Sequence, residues 1–133
     1  MRKLLPLIAV SMLIGGAAQA RPTDHEAELE RALAGRVAGP PVHCIDLHRV
    51  TSSRVIDNTA ILYRDGATIY VNRPDNGAEQ LNRNDVMVTR TPSTRLCNID
   101  TVTMVEPVSH SFTGVVFLGD FVPYRRVETG SAD

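Results

Sequence analysis

Between Thr59 and Asn72 the chain reads TAILYRDGATIYVN, two β-rich runs on either side of Asp65-Gly66. Asp-Gly between such runs is the strongest short-range signal for a two-residue hairpin. With that pair as the loop, Arg64 faces Ala67, Tyr63 faces Thr68, Leu62 faces Ile69 and Ala60 faces Val71. Side chains alternate across a strand, so Ala60, Leu62, Ile69 and Val71 make one core-like face. Ile61, Tyr63 and Tyr70 make the other, which is amphipathic.

Similar short runs continue through the chain. SRVID precedes the hairpin, and the turn-rich RPDNGAEQL follows it. DVMVTRT ends at Pro92-Ser93, and NIDTVTMVEP sets Ile99 on one face with Val102 and Met104 on the other. GVVFLGDFVPYRRV reads as two strands around Gly119-Asp120, with Pro123 demoting the second to an edge or making its first residues irregular. Six or seven short strands between Val42 and Val127 predict a mainly β domain, an antiparallel sheet folded as a small barrel or sandwich.

Ahead of it, Thr23-Asp24-His25-Glu26 has the form of a capping box, and Leu29 and Leu33 lie one turn apart. Gly35 and then Gly39-Pro40-Pro41 end this helix. Its single narrow apolar stripe predicts a peripheral helix outside the core. The expected organisation is a signal peptide over 1–20, a helix and proline-containing linker over 21–41, a β domain over 42–127 and a flexible tail over 128–133.

Arg2 and Lys3, an apolar run from Leu4 to Ile14, and Ala18-Gln19-Ala20 have the layout of a secretory signal, with cleavage expected after Ala20. The apolar run is shorter than the ~20 residues a spanning helix needs. A periplasmic or secreted protein with no membrane span after cleavage is the expectation. Cleavage takes the only lysine and leaves an excess of acidic over basic side chains. That balance argues against nucleic acid, whose binding needs a basic surface.

PVHCIDLHRV, residues 41–50, sets Cys44 beside His43 and four residues before His48. Neighbouring side chains point apart on a strand, and Cys44 and His48 would lie about 13 Å apart along one. No second ligand pair accompanies them, so a structural zinc site is not expected. An exported chain with two cysteines is read most simply as carrying a Cys44–Cys97 disulfide.

CIDL, SRVIDNTAILY, IYVNRP, LNRNDVMVTRT, LCNID and FVPYRR resemble a group of small exported alphaproteobacterial proteins, built of a signal peptide and a cysteine-bounded domain. The resemblance runs from about Cys44 to Arg126 and leaves the N-terminal helix outside. It implies that Cys44 and Cys97 belong to the domain pattern. It implies no activity and carries over no catalytic or binding residue.

The function expected is a non-enzymatic binding or interaction module of the cell envelope, meeting an envelope protein or a small ligand. Tyr63 and Tyr70 are its candidate contacts, with Arg54 and Arg73 in the flanking segments, since tyrosine and arginine favour recognition surfaces. Strand addition at a sheet edge is a further possibility. The alternative is a periplasmic hydrolase, for which Ser109-His110-Ser111 is the only local hint. No G-x-S-x-G, H-E-x-x-H or phosphate-loop pattern occurs. Asp57, Asp65 and Asp85 read as ordinary turn residues. No catalytic residue, metal or cofactor is expected.

Overall fold

The computed structural model describes residues 15–16 and 24–127. The expected signal segment (save Gly15 and Gly16), the Thr23 cap and the tail over 128–133 lie outside the described residues. In chain order the elements are α1 (Asp24–Ala32), β1 (Arg36–Ala38), β2 (Cys44–Asp46), β3 (Ser52–Ile56), β4 (Ala60–Asp65) and β5 (Thr68–Asn72). After a 3₁₀ turn at Ala78–Gln80 come β6 (Val86–Thr89), β7 (Arg95–Cys97), β8 (Thr101–Val105), β9 (Phe112–Phe117) and β10 (Phe121–Arg126). The protein is mainly β, with more and shorter strands than the six or seven expected.

They form three antiparallel sheets: β1-β10-β5-β4-β3, the ribbon β2-β7, and β6-β8-β9. Bridges at Val42–Phe121 and Asn76–Phe117 stitch the sheets together. The five-stranded sheet is covered on both faces. On one, Ile61 and Tyr63 meet Ile45, Leu96, Val102, Met104, Val116, Leu118 and Phe121 in the larger apolar cluster. On the other, Ile56, Ala60, Leu62, Ile69 and Val71 meet Leu29 of α1, with Ala32 and Leu33 alongside. Leu29 is only 2% exposed, so the helix expected to lie outside the core contributes one plug to it. A single buried leucine per helix suffices because the sheet face beneath is already apolar.

The hairpin exists, with a different loop. Asp65 pairs with Thr68, Tyr63 with Tyr70 and Leu62 with Val71, so the two loop residues are Gly66 and Ala67. Gly66 has φ 57°, the conformation that the first loop position of a type II′ turn asks of glycine. The displacement keeps parity, and each side chain therefore stays on its expected face.

Pro123 is not on an edge: β10 lies between β1 and β5, with Pro123 opposite Tyr70. The amide and carbonyl of a strand residue point to the same neighbour. The Pro123 carbonyl accepts from Gly39 N at 2.7 Å, so its missing N–H faces the end of β1. There Gly39-Pro40-Pro41 has already closed the ladder.

Candidate functional site

Cys44 and Cys97 face each other across β2 and β7 and are joined as a disulfide. Both sulfurs are thereby used, and Cys44 is neither a metal ligand nor a thiolate nucleophile in this protein. Beside the bridge, His43 Nδ1 lies 3.1 Å from Asp120 Oδ1, and the Asn98 amide donates to the same oxygen at 2.8 Å. The imidazole and then the amide hold the Asp120 carboxyl below its ordinary value. His43 and Asp120 are well exposed, and among the described residues no hydroxyl is hydrogen-bonded to the ring.

Ser109-His110-Ser111 leads from the turn at 107–109 into β9. The Glu106 carboxylate accepts from the Val108 and Ser109 amides and from the Ser109 hydroxyl, while His110 takes φ 56°. These bonds depress the Glu106 pKa and fix the loop.

The four residues expected to meet a partner are placed otherwise. Tyr63 is buried, its ring edge-on to Phe121 with centroids 5.9 Å apart. Burial pushes its phenol pKa well above the ordinary value. Tyr70, half-buried, packs against the same cluster. The two smaller sheets cover Tyr63, while Tyr70 keeps part of its ring in solvent.

Arg73 makes a two-pronged pair with Glu26 at 2.8 and 3.0 Å, and Arg54 meets Glu28 at 2.6 Å. Arg83 reaches the same Glu28 at 2.8 Å and Asp57 at 2.8 Å. Both candidate arginines thus hold α1 to the sheet. Asp57 is more than a turn residue, since it also accepts the Arg83 amide at 2.7 Å.

An apolar surface lies on the outer side of β6-β8-β9. Registry aligns Val86 with Val105 and Phe112, Val88 with Thr103 and Val115, and Thr101 with Phe117. The intervening Val102, Met104 and Val116 are buried on the inner side. In a regular strand Phe112 would share the inner face with Gly114 and Val116. A register shift at Met104/Val105 sets it opposite Val105 instead, which is how a bulge re-aims a side chain.

Phe112 is 66% exposed, Phe117 51% and Val86 49%. Val108, at the tip of the Glu106-anchored turn, is 86% exposed. No outward position on these three strands carries a charge. Together with Val88 at 36%, these exposed side chains form one contiguous apolar patch on the outer face.

No family model, curated protein or solved structure matches the chain.

The sequence displayed VMV, TVTMV and FTGVVF as strands but not which of their faces lacked a cover. The missing signal is the alternation itself. A strand that is half valine and phenylalanine outside and apolar inside reads the same as a doubly buried one. Among the described residues no helix is long and apolar enough to cross a membrane.

Proposed function

We propose that the protein is a non-enzymatic interaction module of the cell envelope, of a kind with the small exported proteins it resembles. Its contact surface is the outer face of β6-β8-β9. The observation that carries this reading is the exposure of Phe112 and Phe117, two of only three phenylalanines in the chain, on one uncharged sheet face. β6 is a free edge of that sheet, and Val86–Thr89 carries neither a charge nor a proline. The facing layers, with the five-stranded sheet and the smaller sheets packed across the larger cluster, read as a sandwich. The disulfide agrees with life outside a reducing compartment.

A photo-activated cross-linker placed at Phe117 in producing cells tests it. The expected outcome is one discrete adduct that disappears when Phe112→Ser is added. The same reagent at exposed Arg31 should give no adduct of that size. An adduct pattern identical at both positions, or unaffected by Phe112→Ser, overturns the assignment.

A further inference from the structure

The cover that α1 provides for the five-stranded sheet stops short. Past Leu29 the helix leaves a hollow of about 150 Å³ beside Ala32, floored by Leu62 and Ile69. Ser52, Ser53, Arg54 and Arg64 form its mouth. The hollow opens to solvent between these side chains, and its volume is that of a group about as large as benzene.

The charge around the mouth is unbalanced. Arg54 is matched by Glu28, whereas Arg64 has no acidic partner among the described residues. Arg36 and Arg126 stand directly opposite each other on β1 and β10, an arrangement that destabilises a sheet. Arg36 is held below its ordinary pKa first by burial, then by Arg126 and by Arg64, so the three cations share one neighbourhood. Ser52 lies opposite Arg64 in the ladder, adding a hydroxyl next to the unpaired guanidinium.

We propose that this hollow binds a small amphiphilic carboxylate, with an aliphatic body of about six carbons on the Leu62–Ile69 floor and its anionic head at Arg64 and Ser52. The apolar floor selects against inorganic anions, and the unpaired arginine selects against neutral hydrocarbons. Arginine's fork matches a carboxylate in two bonds, and the charge of the ligand relieves the repulsion among Arg36, Arg64 and Arg126. The site is separate from the β6-β8-β9 face and does not depend on it.

Titration of the full chain with hexanoate, followed by calorimetry and by the Leu62 and Ile69 methyl resonances, decides the matter. Hexanoate is expected to saturate a single site and shift those methyls, with hexanol and acetate each at least tenfold weaker. Arg64→Gln, a change at an exposed side chain, should weaken hexanoate at least tenfold and leave hexanol unaltered. Ala32→Leu, which fills the hollow, should abolish the shifts while the circular dichroism is retained. Hexanol binding as well as hexanoate, Arg64→Gln binding as well as the parent, or no saturable site would each overturn the proposal.

Discussion

Asn72 is fully buried, and both ends of its amide are used. Its Nδ2 donates to the Gly119 carbonyl at 2.7 Å and its Oδ1 accepts from the Gly119 amide at 3.0 Å. The side chain completes the ladder where the β9–β10 loop has no strand beside it. Asn72→Leu keeps the volume and strands both backbone groups of Gly119. It is expected to destabilise the fold by about 2–4 kcal/mol, seen as a lower urea midpoint at unchanged slope. Gly119→Ala should also destabilise, because a Cβ there would stand 2.4 Å from the Arg73 carbonyl. Neither role was legible in the sequence. Asn72 sits at the end of a β run where a polar residue reads as the start of a turn, and only the fold brings Gly119 to it. Tyr63 shows the same limit: its hydroxyl suggested a surface, while its ring was needed to fill the space against Phe121.

At the level of elements, α1 is fastened by Leu29 and by carboxylates that meet arginines from three other segments. Hydrogen bonds from Arg73 hold Glu26, and those from Arg83 and Arg54 hold Glu28, below the ordinary carboxylate value of 4.5. Groups depressed in the folded state stabilise it above their unfolded value and lose that contribution as pH falls through the folded one. The helix is therefore expected to loosen below pH 4.5, with the Leu29 methyl resonances leaving their buried positions before the sheets melt. In an Arg73→Gln, Arg83→Gln double variant the carboxylates return toward 4.5, the helix is looser at neutral pH and the acid step flattens. The alternating runs revealed β4, β5, β6, β8, β9 and β10, because period-two patterning survives in any packing. Short β1 and β7 carry no such pattern; each exists because a neighbouring strand offers a free edge. The hairpin loop was misplaced because Asp-Gly and Gly-Ala are both competent two-residue turns, and the choice between them rests on Asp65, which stays in the strand and pairs with Arg49 at 3.1 Å. The interior place of Pro123 is not legible because the sequence does not show on which side β1 stops.

Across the whole molecule the disulfide closes a long loop between two strands that contribute only three residues each. Removing it through Cys44→Ser with Cys97→Ser is expected to cost about 4 kcal/mol on the loop-entropy scale, read as a shift of the denaturation midpoint. Loss of under about 1 kcal/mol would mean that the β2-β7 ribbon holds by packing alone. The strand order carries one more consequence. β10, the last of the described strands, lies inside the five-stranded sheet between β1 and β5, so those two strands are not paired until it arrives. During synthesis β1 therefore stays apart from the β3-β4-β5 meander until β10 has emerged. Emergence of β10, rather than any earlier collapse of β3 to β5, sets the moment at which the five-stranded sheet closes.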